Sequence, residues 1–274
     1  MNTIRKAILV MMLSALLPTG SAFLVGAAPI VVATHVVLGE MAGIIGGDEI
    51  EVTTLIPSGF CPAHYDLAPS DLADVAQARL LIYSGFEPWM DTLHAAVGSE
   101  AFVLQLPGEW NSPLTASVKL NEITDQLSLL LPEAAAGFAT RADSYLDRLD
   151  RLGQEITARA GELGSEEINV ICIVWQEEFV EWLGFGIAAT YSSPETLSLR
   201  NLVELTEIGK EANVTLVIDN LQSGVQFGAK LAHEIGAVHV VLSNFPGAMP
   251  NTATFLDLLR TNANALFAAV SPLP

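Results

Sequence analysis

Short runs of β-branched and aliphatic residues alternate with amphipathic stretches in the first half of the chain. The runs predict strands at residues 30–33, 51–56, 80–83 and 102–104. The stretches between them have the apolar spacing of helices and predict helices at residues 37–45, 70–78 and 87–97. Because strands that alternate with helices pair in parallel, this pattern predicts a mostly parallel sheet covered on both faces.

The pattern changes in the middle of the chain. Between residue 118 and about residue 163 there is no strand signal, and apolar residues recur at helical spacing among charged ones. Pro132 divides this stretch, because a proline inside a helical pattern ends or restarts the helix. The remaining helix, from Glu133 onward, is roughly 30 residues and about 45 Å long. Such a helix either joins two lobes or lies along one domain.

After Gly164 the alternation of strands and helices resumes. Strands are predicted at residues 169–174, 187–191, 214–219 and 238–242, and helices at residues 199–212, 226–235 and 254–267. Ser198 and Thr252 are the predicted N-caps of the first and last of these helices. The fold class is therefore α/β, with two lobes of parallel sheet flanked by helices. The cleft between the carboxyl ends of the two sheets is the expected ligand site.

The N-terminus has the pattern of an export signal. Arg5 and Lys6 precede an apolar stretch that ends in small residues at Gly26-Ala27-Ala28. The alternative is an uncleaved N-terminal membrane anchor. The predicted organisation is a leader at residues 1–28, an N-terminal lobe at 29–130, the long helix at 131–164 and a C-terminal lobe at 165–274.

Composition excludes several classes of function. With 51% hydrophobic residues in 274, the chain is neither a disordered tail nor a small disulfide scaffold. The chain has 12 Lys and Arg residues but 31 Asp and Glu residues. The resulting net charge of −19 argues against a nucleic-acid partner. Nucleophile-elbow, phosphate-loop, dinucleotide-binding and HExxH motifs are absent from the sequence, so an enzyme is not favoured. A metallohydrolase using Cys61 and His64, with Glu177 as base, is the enzymatic alternative.

The loop from Ile56 to Asp71 concentrates candidate chemistry. Cys61, His64 and Asp66 lie within six positions and offer a thiolate, an imidazole and a carboxylate, all of which ligate transition metals. The competing interpretation is that Asp66 only caps the turn and that His64 is a solvated loop residue. Whether Cys61 and the strand residue Cys172 form a disulfide stays open.

The same loop carries a family resemblance. Residues 62–71, PAHYDLAPSD, and residues 74–85, DVAQARLLIYSG, resemble the PHxYxxxPSD and following strand segment of the zinc/manganese class of ABC-importer solute-binding proteins. Residues 32–57, 169–184, 214–222 and 254–266 resemble other parts of that family in the same order. The resemblance implies two pseudo-Rossmann lobes joined by one long rigid helix. It also implies an exported, non-catalytic protein that binds a metal ion as cargo and passes it to an ABC permease.

The metal ligands of the family are mostly replaced here. The resemblance aligns its first histidine with Ala63, its second with Gly108, its third ligand with Gln176 and its fourth with residues 243–244. Zinc in a closed site needs four donors, and neutral amides bind it poorly. A rebuilt site is therefore predicted from the residues His64, Cys61, His35 and Gln176. The expected cargo is Zn²⁺, with Mn²⁺ or another transition metal as alternatives.

Two further hypotheses keep the same architecture. One changes the ligand and the other changes the function. A metal chelate or a small polar solute could be held by the amides of Gln176, Asn220, Gln222 and Asn244. The fold could also serve a cell-surface adhesion or scaffold protein. In the metal-transport hypothesis the partners are the permease and the metal ion, with no nucleic acid, and the chain acts as a monomer.

Overall fold

The fold is α/β, with two four-stranded parallel sheets, as the computed structural model shows for residues 27–271. The strands of the first sheet are β1 (Ile30–His35), β2 (Glu51–Ile56), β3 (Leu80–Tyr83) and β4 (Phe102–Gln105). Those of the second are β5 (Asn169–Ile173), β6 (Gly186–Tyr191), β7 (Leu216–Asn220) and β8 (Val238–Leu242). The strand orders, β2-β1-β3-β4 and β6-β5-β7-β8, are equivalent. The predicted fold class is confirmed.

Helices cover both sheets. They are α1 (Val36–Gly46), α2 (Pro69–Gln77), α3 (Met90–Ala96), α4 (Pro113–Leu130), α5 (Ala135–Glu162), α6 (Glu177–Trp182), α7 (Leu199–Glu211), α8 (Gln226–Ile235) and α9 (Phe255–Val270). Helix α4 begins before the predicted residue 118, because Ser112 caps it and Pro113 fits its first position. The short α6 was not predicted.

The two predicted N-caps have different outcomes. The Ser198 hydroxyl accepts a hydrogen bond from the backbone N–H of Asn201 and caps α7, as predicted. The cap of α9 is Thr254, whose hydroxyl accepts from the Asp257 N–H at 3.2 Å, so the prediction of Thr252 was wrong. The Thr252 hydroxyl instead donates to the carbonyl of Met249 at 2.6 Å and closes the preceding turn.

Helix α5 packs against elements of both lobes. It contacts α1 and α4 on the side of the first sheet and α9 on the side of the second. Its buried residues follow a three- and four-residue spacing, at Phe138, Ala142, Tyr145, Leu149, Leu152, Ile156 and Ala160. These side chains belong to one hydrophobic core that also includes Val31 of β1 and Leu216 of β7. The helix therefore joins two lobes, and the exact domain boundaries stay a prediction.

The outer face of each sheet has its own smaller core. One packs under α2 and α3 around Leu81 and Leu93, and the other packs under α7 and α8 around Val217 and Leu231. In each sheet the chain winds in opposite directions from the central strand pair, β1 with β3 and β5 with β7. This reversal opens a crevice at the carboxyl ends of the strands, where open α/β sheets bind ligands.

The remaining expectations concern the leader and the cysteines. Most of the predicted leader, residues 1–28, lies outside the described residues. Among residues 27–271, none of the helices has the length and apolar character needed to cross a membrane. Cys61 and Cys172 are both free thiols.

Candidate functional site

A cavity of about 350 Å³ lies between the two lobes. Loops that follow every strand except β1 contribute to its lining, together with Asn220 at the end of β7. The lining residues are Cys61, Pro62, Ala63, Phe86, Gly108, Glu109, Trp110, Trp175, Ser193, Asn220, Gln222, Ser223, Asn244 and Phe245. The parallel topology therefore brings residues far apart in the sequence to one cleft.

Aromatic rings form much of the cavity wall. The ring of Trp110 lies 6.1 Å from that of Phe86 and 5.8 Å from that of Phe245, at interplanar angles of 26° and 23°. Trp110 and Phe245 are buried, while Phe86 and Trp175 are 45% and 40% exposed. The wall is thus buried at its base and open to solvent at Phe86 and Trp175.

Hydrogen bonds tie the two lobes together beside the cavity. The indole N–H of Trp110 donates to the carbonyl of Asn244 at 3.1 Å. The Asn111 amide donates to the carbonyl of Trp175 at 3.1 Å, and the Gln222 amide donates to the carbonyl of Ser58 at 3.1 Å. These bonds fix the relative positions of loops from opposite lobes.

Glu178 of α6 is a second tie between the lobes. Its carboxylate accepts from the backbone N–H of Asn111 at 3.0 Å and from the hydroxyls of Ser112 and Thr115 at 2.8 and 2.7 Å. These groups lie at the N-terminus of α4, where a helix favours negative charge. The sequence does not indicate this role of Glu178, because the partners of its carboxylate lie more than sixty positions away along the chain.

Most amide side chains at the cavity already have hydrogen-bond partners within the protein. The Asn244 Oδ1 atom accepts from Asn111 Nδ2 at 3.4 Å and from Gln176 Nε2 at 2.5 Å. Gln222 donates to Ser243 Oγ at 2.9 Å and accepts from the Asn244 N–H at 3.2 Å. Asn244 Nδ2 donates no hydrogen bond to another described residue.

The loop from residue 107 to residue 110 has a backbone that suits its glycine. Gly108 has a φ of 81°, in the left-handed region that L side chains rarely adopt. Lys119 is buried behind this loop and donates to the carbonyls of Leu106 and Pro107 at 2.9 and 2.8 Å. A histidine at position 108, as the family pattern has it, would be strained in this conformation.

Glu109 is the only carboxyl residue among the described residues that line the cavity. Burial raises the pKa of its carboxyl, the charges of Glu178 and Glu177 raise it further, and the Lys119 ammonium opposes them. Burial lowers the pKa of Lys119. The cavity wall therefore offers at most one carboxylate charge to a guest.

His64 lies at the surface. Its Nε2 atom is 3.2 Å from a carboxylate oxygen of Glu195, and the two side chains are 58% and 64% exposed. A contact this exposed contributes little to stability, and it holds the imidazole towards the opposite lobe at the rim of the cleft. His64 is not part of the cavity lining.

His35 lies behind the aromatic wall. Its ring stacks on Trp110 at 4.7 Å, its Nε2 atom is 2.8 Å from the Ser84 hydroxyl, and its Nδ1 atom has no hydrogen-bond partner among the described residues. Burial, with a smaller contribution from the Lys119 charge, lowers the pKa of the imidazole to about 3. The ring is therefore neutral at any pH near neutrality.

The predicted ligands Cys61 and Gln176 lie on and behind the cavity wall. The Cys61 thiol is half-buried, whereas Gln176 is fully buried and its Oε1 atom has no partner among the described residues. Within residues 27–271, no group of three or more His, Cys, Asp or Glu side chains converges to hold a metal ion. The structure therefore does not bring Cys61, His64 and His35 together, and the four-residue ligand set stays a prediction.

Comparisons with known proteins agree with this fold. The sequence profile of the family described as zinc-uptake complex component A, periplasmic, matches residues 31–269. The high-affinity zinc uptake system protein ZnuA of Bacillus subtilis is 22% identical, over 86% of this chain and 86% of its own length. The manganese-binding lipoprotein MntA of Halalkalibacterium halodurans is 21% identical, over 88% of each chain.

A solved structure has the same fold. The Cd-bound periplasmic metal-binding protein of Candidatus Liberibacter asiaticus superposes with a TM-score of 0.80 at 17% identity, over 89% of this chain and 100% of the other. The family match spans both sheets and the helix between them. This chain therefore belongs to the periplasmic zinc-uptake component A family, the exported, non-catalytic metal-binding proteins of zinc and manganese ABC importers.

Proposed function

We propose that this chain is the extracytoplasmic solute-binding component of an ABC importer, that it captures a metal cargo in the cavity between its lobes, and that it delivers this cargo to a membrane permease. The observation that carries the proposal is the origin of the cavity lining, which comes from both lobes. A guest held by both lobes stabilises their closed arrangement, and a permease that separates the lobes releases the guest.

The hydrogen bonds between the lobes fit such a cycle. Three contacts join opposite sides of the cavity: Trp110 with Asn244, Gln222 with Ser58, and Glu178 with the N-terminus of α4. They are few and polar, so separating the lobes on a permease breaks hydrogen bonds that water can replace. The continuous core along α5 meanwhile limits the motion to the cavity side of the molecule.

Filling the cavity should abolish transport. Ala63 lines the cavity and is exposed in a short 3-10 helix, so Ala63→Trp should fill the space without disturbing the core. Ala63→Ser should leave the cavity open. In a host strain that lacks the chain, complementation with Ala63→Trp should leave cellular zinc and manganese at the level of the empty strain. Ala63→Ser should restore the wild-type level.

The measurement is whole-cell metal content by elemental mass spectrometry under metal limitation. Thermal unfolding of both purified variants should coincide with that of the wild type, which confirms that the substitutions leave the fold intact. If Ala63→Trp restores metal content as well as the wild type does, the cavity is not the cargo site.

The ligand set predicted from the sequence, Cys61, His64, His35 and Gln176, gives a competing form of the cargo, a bare Zn²⁺, Mn²⁺ or other transition-metal ion. Two observations favour it: Cys61 lines the cavity, and buried atoms of His35 and Gln176 are unpartnered. If His64 donates to a bare ion, His64→Ala should lower the affinity at least tenfold, about 1.4 kcal/mol, in zinc calorimetry. Unchanged affinity would remove His64 from the set, in line with its pairing with Glu195.

The charge of the chain restricts its other partners. A net charge of −19 disfavours nucleic acid, whose phosphates need a basic surface, and it is compatible with a cationic cargo. The expected partners are thus the metal cargo and the permease, and the expected state in solution is a monomer.

A further inference from the structure

We infer that the cargo of the cavity is a metal ion already held by a small planar organic chelator, rather than a bare ion. The inference rests on the proposed function and specifies its cargo. It follows from three features of the cavity: too few donors for a bare ion, aromatic walls around a space of organic-molecule size, and an amide donor without a partner.

The donors of the cavity do not complete a coordination sphere. Zinc in a closed protein site takes four ligands from thiolate, imidazole and carboxylate groups. Within residues 27–271, the cavity lining contains one thiol, Cys61, one carboxyl, Glu109, and no imidazole. Since no three such side chains converge among the described residues, the remaining ligands must come with the metal.

The size and surface of the cavity suit an organic molecule. A volume of about 350 Å³ lies within the range of roughly 300–1,000 Å³ in which proteins bind small organic ligands. Phe86, Trp110 and Phe245 line the space, and the plane of the Trp110 ring lies within 30° of the planes of the other two rings. Such a wall stacks favourably on a flat conjugated ligand and offers nothing specific to a hydrated ion.

The polar groups of the cavity indicate what the edge of the chelator carries. Asn244 Oδ1 already accepts from Asn111 and Gln176, so the orientation of its amide is fixed. The Nδ2 atom of the same side chain has no acceptor among the described residues. Ser193 and Ser223 add hydroxyl groups to the lining. These groups favour an edge of carboxylate or carbonyl oxygens on the chelator.

Two zinc complexes that differ in planarity test this inference. Dipicolinate is flat and aromatic, and iminodiacetate offers the same nitrogen and two carboxylate donors on an aliphatic chain. Purified protein freed of metal should be titrated with zinc chloride, with the zinc–dipicolinate complex and with the zinc–iminodiacetate complex, by calorimetry and tryptophan fluorescence. We expect zinc–dipicolinate to bind at least tenfold more tightly than either other probe.

Two tryptophan variants supply the control. Trp175 lines the cavity and is 40% exposed, whereas Trp182 lies away from it beside α5. Trp175→Ala should lower the affinity for zinc–dipicolinate at least tenfold, and Trp182→Ala should leave it unchanged. Equal losses in both variants would indicate a general loss of structure and would overturn the role of the aromatic wall.

The other outcomes are equally decisive. The inference is overturned if zinc chloride binds as tightly as the dipicolinate complex, if both complexes bind equally, or if no probe binds. Tight binding of zinc chloride that Ala63→Trp abolishes would leave the proposed function intact and refute only the chelate. A cellular metal content that Ala63→Trp does not change would refute the proposed function itself.

Discussion

Replacing Gly228 with alanine should destabilise the fold by about 3 kcal/mol. Gly228 lies in α8 against the end of β7, and a Cβ atom there would be 2.1 Å from Asp219 Oδ2 and 2.7 Å from the Tyr191 hydroxyl. Asp219 is fully buried, accepts from the Tyr191 hydroxyl at 2.6 Å and lies 2.7 Å from His239 Nε2. The methyl group would displace a buried carboxylate from both partners.

The consequence would reach the cavity. Asn220, the residue after Asp219, lines the cavity and accepts the Gln222 N–H at 3.1 Å. Burial and the charge of Asp219 raise the pKa of the Tyr191 phenol, so the phenol remains a proton donor to the carboxylate. A shift of Asp219 therefore disturbs the turn that shapes the second lobe's side of the cavity.

A matched substitution separates the clash from the general effect of removing a glycine. No atom lies within 4 Å of a Cβ built on Gly161, which is exposed near the end of α5. Gly161→Ala should therefore stabilise the protein by up to about 1 kcal/mol, because alanine favours a helix. Urea unfolding monitored by circular dichroism measures both changes. Equal stabilities of Gly228→Ala and the wild type would show that the Asp219 network tolerates the methyl group.

The fold was largely predictable from local patterns. The β-branched and aliphatic runs predicted the strands of the described residues to within a few residues. The signal is most continuous in the central strands β1, β3, β5 and β7, because they are buried. The long helix was predicted from Glu133 and is observed from Ala135 to Glu162. Its attachment to both lobes could not be decided from the sequence, because the partners of its apolar face are other helices. Helix α6 was not predicted because its six residues are too few to show a helical period.

The site was less predictable for a physical reason. Cys61 and His64 were predicted to share a metal site because they are neighbours in one loop. In the structure Cys61 lines the cavity, whereas His64 lies at the rim and pairs with Glu195. His35 was placed correctly at the carboxyl end of a strand, but its ring packs behind Trp110. The order of residues along the chain predicts at which edge of the sheet a residue lies, but it does not predict the direction in which its side chain points.

The aromatic wall depends on contacts between distant loops. Phe86, Trp110 and Phe245 follow β3, β4 and β8, and nothing near each residue indicates that the rings meet. The sequence does show that the two positions aligned with family histidines carry other residues, Ala63 and Gly108. At position 108 the backbone lies in the left-handed region, which glycine adopts readily and in which a histidine would be strained.

Acidification should destabilise the metal-free protein through His35. The fully buried imidazole has a pKa of about 3 in the fold against 6.5 for an ordinary histidine. Between these values the unfolded chain binds a proton that the folded chain does not, so the free energy of unfolding falls as the pH falls. The contribution is complete above pH 6.5 and decreases by about 1.4 kcal/mol per pH unit towards pH 3.

The variant His35→Gln isolates this contribution, because glutamine can hydrogen bond to Ser84 and does not titrate. Urea unfolding with a metal chelator present, from neutral pH to pH 4, should show a steeper loss of stability in the wild type. The difference between the two slopes should be about 1.4 kcal/mol per pH unit below the ordinary histidine pKa. Parallel profiles would mean that the His35 imidazole gains a proton inside the fold. Its ring would then be available as a charged group beside the cavity, which the complete burial of the imidazole argues against.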